Sequence, residues 1–319
     1  MELGAPDHER KRLVTKIPCL PETLSPTDQS LTDEDLIVRG QREYDSLERV
    51  YTHFSTQKRN GLAAVRPEAY LPEINAVIME FVPGPTLYDR LIAPRHLLSS
   101  RGRKRALNAV RSAGRWLGWL HTLQVTDRPG ERIKGVRFAL HELQREAQQL
   151  KSAGIVLEEL PHWETAMRVF EGIEDDTLVW SHGDFHMRNV FVLPDDSILG
   201  FDTALDFLDH PCVDIGKFFV DLETRRTRIL SYGMLPPEGF VQQLQAAFLD
   251  GYGKPVDPLV LALYRGQFLL EKWNQVLPQK HETPAATTMA TETLIRTVTT
   301  PFFNKQVEGW LQDVHRPTG

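Results

Sequence analysis

Two short apolar runs, Val190-Phe-Val192 and Ile198-Leu199, flank a Pro-Asp-Asp-Ser turn and carry polar residues at their open ends, and this hairpin constrains the chain more than any other segment. A four-residue turn over 194–197 would pair Leu193 with Ile198 and Val192 with Leu199. Continued outward, that register sets Asn189 opposite Asp202, with Cβ atoms about 4.5 to 5.5 Å apart. An amide oxygen and a carboxylate at that separation can share one or two divalent cations. Asp184 stands five residues before Asn189 and adds a third polar group to the same end of the hairpin.

Those three groups suit phosphoryl transfer. The reaction asks a protein for a cation bridging the phosphates, for groups that hold them, and for a carboxylate that orients and deprotonates the attacking hydroxyl. Asp184 is the candidate base, and Asn189 and Asp202 are the candidate metal ligands. The Asp184 to Asn189 spacing equals that of the catalytic loop H-R-D-L-x-x-x-N, and Asp202 takes the place of the aspartate in D-F-G.

His182-Gly-Asp-Phe-His-Met-Arg-Asn189 followed by Phe201-Asp202 resembles the aminoglycoside phosphotransferase and choline kinase branch of the protein-kinase-like superfamily, where the loop reads H-G-D-x-x-x-x-N. Met79-Glu-Phe-Val-Pro-Gly84 is similar to that branch's hinge, Leu117-Gly-Trp-Leu-His121 to its long C-lobe helix, and His210-Pro-Cys-Val-Asp214 to the segment after its metal aspartate. The resemblance implies an α+β bilobal fold, ATP and Mg2+ as cofactors, and a small-molecule hydroxyl acceptor. It also implies that the hinge backbone near Phe81 and Val82 holds the adenine, and that Lys16 paired with Glu43 holds the α- and β-phosphates. The sequence departs from the branch in two places, and the first is that no glycine-rich loop is visible ahead of Lys16: either the N-lobe is abbreviated, or nucleotide binding is weakened or completed differently. Asp202-Thr-Ala in place of D-F-G, with no Ala-Pro-Glu signature, sets protein kinases aside.

The elements fit that outline. Arg12–Ile17 reads as a strand with Lys16 among apolar neighbours. After a loop, Thr32 or Asp33 could cap a helix on which Leu47, Val50, Tyr51 and Phe54 recur at helical spacing, with Glu43 near the inward face. Ala76–Val82 is a strand-length apolar run stopped by Pro83-Gly84-Pro85, which places the lobe boundary there: 1–82 as nucleotide-binding N-lobe, 83–319 as C-lobe with catalytic loop and acceptor site. Helices are expected over 105–123, 138–151, 237–252, 259–276 and 291–314, so the class is α+β.

Composition narrows the partners. The 37 Lys and Arg against 43 Asp and Glu leave a formal net charge of -6, which offers no bulk attraction for nucleic acid. No stretch reaches the roughly 20 apolar residues of a membrane span. Cys19 and Cys212 stand alone, without metal-binding spacing, and a cytoplasmic setting is expected.

Other polar residues have plainer readings. His182 is expected to brace the loop. His186 and Arg188 could touch phosphate or acceptor, or face solvent. Asp214 is read as a cap for the helix that follows it. Asp206, Asp209 and Glu223 could bind a cationic acceptor or simply face water, and Trp116, Trp119, Trp273 and Trp310 belong in the core. The leading function is transfer of a γ-phosphoryl group to a small-molecule alcohol; the alternative is a catalytically silent, pseudokinase-like binding module.

Overall fold

A computed structural model of the chain describes residues 12–18, 34–56, 61–92, 99–125, 132–277 and 295–315. Strand β1 (Leu13–Lys16) pairs antiparallel with β4 (Ala76–Glu80), setting Lys16 opposite Val77. On its other side β4 pairs with β3 (Pro67–Leu71), so the sheet order is β1-β4-β3. Alternation along β4 turns Val77 and Met79 inward, where they meet Leu47 and Leu199. Residues 1–11, where a glycine-rich loop was sought, lie outside the described residues.

Helix α1 (Glu34–Thr56) packs Leu47 against this sheet and sends Val50 and Phe54 into the larger core, where Phe54 stacks on Trp116, and Glu34 and Asp35 suit the positive end of its dipole. Its expected cap at Thr32 or Asp33 lies outside the described residues. Gly40 lets α1 come close: a Cβ there would stand 2.0 Å from Asn75 Oδ1. Asn75 itself turns the chain into β4 with φ 46° and donates from Nδ2 to the Leu36 carbonyl at 2.9 Å. This lock fixes the height of α1, and Glu43 lies one turn further along.

The remainder is mainly helical: α2 (Leu87–Ile92), α3 (Ser100–Leu120), α4 (Val136–Ser152), α5 (Trp163–Glu171), α6 (Cys212–Glu223), α7 (Arg226–Leu230), α8 (Glu238–Tyr252), α9 (Pro258–Val276) and α10 (Thr300–His315). The four helices expected over 105–123, 138–151, 237–252 and 259–276 are α3, α4, α8 and α9. Helix α3 starts earlier than its apolar period suggests because Ser99 Oγ accepts from the Gly102 amide at 3.0 Å. The last expected helix is α10, entered through a π-helical turn at Ile295–Thr299; its first residues, 291–294, lie outside the described residues. Helix α3 packs along α8, and α9 packs against α4 and α6. Trp116, Trp119, Trp273 and Trp310 are all buried, as their helical spacing predicts.

Two small sheets place the functional loop. Strand β8 (Ile198–Gly200) pairs antiparallel with β7 (Val190–Val192) and parallel with β2 (Leu62–Ala64). Strand β9 (Phe207–Asp209) lies between β5 (Arg132–Ile133) and β6 (Val179–Trp180).

The β7–β8 register corrects the sequence expectation by one residue. Val192 pairs with Ile198 and Val190 with Gly200. The reason lies in the turn: Asp196 N–H reaches the Leu193 carbonyl at 3.0 Å and Leu193 N–H reaches Ser197 at 2.9 Å, closing a three-residue loop. Asp196 takes φ 62°, the left-handed position that follows a type I turn in such loops. Asn189 therefore faces Phe201, whose amide it receives at 3.0 Å, and does not oppose Asp202.

Among the described residues no helix is long and apolar enough to cross a membrane. The molecule is α+β, a small strand-bearing N-terminal part followed by a larger helical part.

Candidate active site

The loop from Ser181 to Asn189 is pinned from below by alternate residues. Phe185 and Met187 are fully buried, and the Phe185 ring stacks on Trp116 at 5.8 Å and lies 5.5 Å from Phe218. Burying two such side chains is worth about 2 kcal/mol each. The residues between them, Asp184, His186 and Arg188, consequently face outward.

One face of α6 holds the same loop at three points. Asp214 Oδ2 and Oδ1 accept the amides of His182 and Gly183 at 2.8 and 3.0 Å. Lys217 Nζ lies 2.7 Å from Asp184 Oδ1. Asp221 Oδ2 accepts the Met187 amide at 3.0 Å. Asp214 was expected to cap its own helix; instead it sits inside the first turn and serves the loop. His121 completes its shell, with Nε2 at 3.0 Å from Asp214 and Nδ1 at 2.9 Å from the Tyr252 hydroxyl. Burial alone would raise the Asp214 pKa, but His121 and the loop amides outweigh it and hold the carboxyl below its ordinary value.

His182 braces the loop, as the sequence reading has it. It is buried, its Nδ1 lies 3.4 Å from the Asp184 amide, and its Nε2 lies 3.1 Å from the Phe201 carbonyl. Burial lowers its pKa against the pull of Asp214, Asp184 and Asp202.

Asp184 is the one carboxylate of this loop, with its side chain 46% exposed. Asn189 Nδ2 donates to its carbonyl at 3.0 Å and to Oδ2 at 3.3 Å, and His186 Nε2 lies 3.3 Å from Oδ2. Partial burial disfavours its charge, yet His186 and Lys217 outweigh that and keep the carboxyl well below the usual carboxylate range. Arg188 turns away and lays its guanidinium 4.1 Å over the Tyr88 ring.

Lys16 meets its expected partner Glu43 and also Asp202, a neighbour that the sequence reading does not give it. Its Nζ is 2.6 Å from Glu43 Oε1 and 2.5 Å from Asp202 Oδ1. Burial pulls its pKa down, but Glu43 and Asp202 more than offset that, and the net shift is upward. Phe81 gives its amide to the Arg12 carbonyl at 3.1 Å, so only its carbonyl is available to a ligand; Val82 follows where the strand has ended.

The residues present fit a magnesium ion held mainly by phosphates. Because Asn189 Nδ2 is engaged by Asp184, the amide is oriented, and among the described residues no hydrogen bond reaches its Oδ1. Asp202, at φ 63°, leaves Oδ2 outside the Lys16 pair. An amide oxygen and one carboxylate are a sparse set, which suits an ion that keeps waters and binds substrate phosphates. No group of three or more His, Cys, Asp or Glu fit to hold a metal occurs among the described residues.

The description of the phosphotransferase enzyme family (APH) matches residues 37–258, which include Glu43, the loop, Asp202 and the whole of α6. This chain belongs to the phosphotransferase enzyme family. The chain also resembles solved structures, the first of which shares its fold. A candidate aminoglycoside phosphotransferase from Ralstonia eutropha JMP134 is 17% identical, with 86% of this chain and 83% of that chain covered and a TM-score of 0.52. A macrolide 2'-phosphotransferase from Brachybacterium faecium is 13% identical over 98% of this chain and 86% of its own, with a TM-score of 0.49. The AMP-bound spectinomycin phosphotransferase is 14% identical over 88% and 85%, with a TM-score of 0.49. Comparison with curated proteins gives no match.

In this phosphotransferase a cavity of about 250 Å³ opens beside Asp184 and is lined by His186, Lys217, Thr224, Phe268, Glu271 and Lys272 among others. A wider groove of about 1220 Å³ between α1 and the end of α3 touches none of Lys16, Asp184, Asn189 or Asp202. Two of the carboxylates read as acceptor or surface groups are structural in this phosphotransferase. Asp209 is buried and accepts from Gly135 N, His210 N and Tyr264 Oη at 2.9, 2.7 and 2.6 Å. Glu223 is buried against Arg265 and Gln245. Asp206 is exposed.

The sequence reading passed over Lys217, Asp221, His121 and Tyr252. A signal for the first two was present: Asp214, Lys217 and Asp221 stand at i, i+3 and i+7, one face of a helix.

Proposed function

We propose that this phosphotransferase moves the γ-phosphoryl group of ATP to a hydroxyl of a small molecule, with Mg2+ as the metal and Asp184 as the base. The observation that carries the reading is the Asp184 carboxylate, held ionised by Lys217 and His186 and lining a cavity sized for a small acceptor. Asp184 orients the acceptor hydroxyl and takes its proton as the oxygen attacks the γ-phosphorus. Since its pKa is depressed, it is a weak base in the resting enzyme, and its main contribution is alignment. Lys16, fixed by Glu43, holds the α- and β-phosphates, and Asn189 Oδ1 with Asp202 holds the metal. The metal, when bound, neutralises charge on the phosphates. Residues up to Val82 hold the nucleotide, with the Phe81 carbonyl and the Val82 backbone against the adenine, and residues from Pro83 onward hold the acceptor.

The test is ADP formation from Mg-ATP with pooled acceptors, namely aminoglycosides, amino alcohols and sugars. Asp184→Asn should lower turnover by about 10² to 10⁴-fold with Mg-ATP affinity nearly unchanged. Full turnover in that variant removes Asp184 from the mechanism. Mg-ATP binding without turnover in the native protein, with every pool, points to a binding module instead.

A further inference from the structure

We infer that Lys217 is a positioning residue for the transfer step, one that fixes the Asp184 carboxylate against the acceptor cavity; this rests on the reading of Asp184 given above. Three observations carry it. The ammonium lies 2.7 Å from Asp184 Oδ1 and 3.5 Å from the Gly183 carbonyl. It also lines the cavity, with its side chain 28% exposed, and Nζ stands 5.6 Å from the centre of the Phe268 ring on α9. Finally, its own backbone is held: a Cβ on the preceding Gly216 would meet Tyr264 Cβ at 3.0 Å and Arg265 N at 3.1 Å, so α6 and α9 touch there and Lys217 starts from a fixed point.

The consequence is a carboxylate gripped on both oxygens. Lys217 holds Oδ1, while His186 and Asn189 hold Oδ2. Oδ1 keeps a lone pair for a hydroxyl, and rotation about the Cβ–Cγ bond is blocked from both sides. Asp214 and Asp221 on the same helix face bind backbone amides and so brace the loop as a whole. Lys217 differs because its partner is the reacting side chain. Two of its three N–H donors are spent on Asp184 and Gly183, which leaves one for an oxygen of the molecule in the cavity. In the step it assists, the acceptor O–H proton passes to Asp184, the acceptor oxygen bonds to the γ-phosphorus, and ADP leaves with the electrons of the broken P–O bond.

The experiment compares steady-state ADP formation by the native protein, Asp184→Asn, Lys217→Met, Lys217→Arg, Lys217→Ala with and without ethylammonium, and the Asp184→Asn/Lys217→Met double variant. Lys217→Met should lose about 10²-fold in kcat, the scale of an ångström of misplacement, with the KM for Mg-ATP within about twofold of native. Lys217→Arg, which keeps the charge but shifts it, should lose about tenfold, and ethylammonium should restore part of the turnover of Lys217→Ala. If Lys217 acts through Asp184, the double variant is no slower than Asp184→Asn alone. Native kcat in Lys217→Met overturns the inference, as does a double variant that multiplies the two single losses. If Lys217→Met fails to fold, unchanged kcat in Lys217→Arg overturns it equally. A native protein with no ADP formation fails the reading of Asp184 first, and is seen before any substitution is made.

Discussion

Lys16 stands 186 residues from Asp202 in the chain and 2.5 Å from it in space. One ammonium thus ties the first described strand to the segment that follows β8, and Glu43 of α1 completes the junction at 2.6 Å.

Replacing Lys16 by Met should weaken Mg-ATP binding by about 10 to 100-fold, the worth of a charge-assisted contact to phosphate. Asp202→Ala should remove the magnesium dependence of ATP binding. Titration calorimetry with and without Mg2+ checks both; an Asp202→Ala protein whose affinity still rises with Mg2+ would remove that residue from the metal site.

Stability should fall as pH drops below about 6.5. His182 and His210 are both held below their ordinary value, first by burial, against the opposing pull of Asp214 on His182 and of Asp175 on His210. The unfolded chain takes up protons near pH 6.5 that the folded chain refuses, so stability is full above that pH and is lost as pH falls towards the folded values. The slope is at most about 1.4 kcal/mol per pH unit for each histidine. Melting temperatures between pH 7.5 and 5 should show it, and His210→Asn should flatten it; an equal slope in that variant would clear His210 of any part.

Asp214→Ala should cost about 3 to 5 kcal/mol in urea denaturation, because it strands His121 and the amides of His182 and Gly183 in the interior. Asp214→Asn, which keeps an acceptor, should cost less. Equal midpoints for the two variants would argue that the loop finds other partners.

Gly40→Ala should act at a distance. The new methyl would collide with Asn75 Oδ1, shift α1 and cost about 1 to 3 kcal/mol. Because Glu43 rides on α1, the KM for Mg-ATP should rise while the KM for the acceptor stays put. A matching rise in both would mean that Gly40 affects the site only through general loosening.

Much of this was legible in the sequence because it is local. The spacing of Asp184, Asn189 and Asp202, the apolar period of α3, α4, α8 and α9, and the isolated lysine of β1 are short-range patterns. The β7–β8 register was misread by one residue, since aspartate at 196 accepts a left-handed backbone that the spacing alone does not reveal. Asp214, Asp209 and Glu223 were misread for a different reason. Their partners, among them His121, Tyr264 and Arg265, lie 93, 55 and 42 residues away, and a carboxylate's distant donors leave no mark on its neighbours in sequence.

The three-point grip of α6 on the loop sets a rule for length. Each residue of a helix turns the next by about 100°, so a one-residue insertion or deletion between Asp214 and Asp221 would swing one end of that set off the loop while leaving the other in place. The seven-residue interval is therefore a gauge of length, tolerant of changed side chains of similar volume at Ile215, Phe218 or Phe219 but intolerant of any change in count.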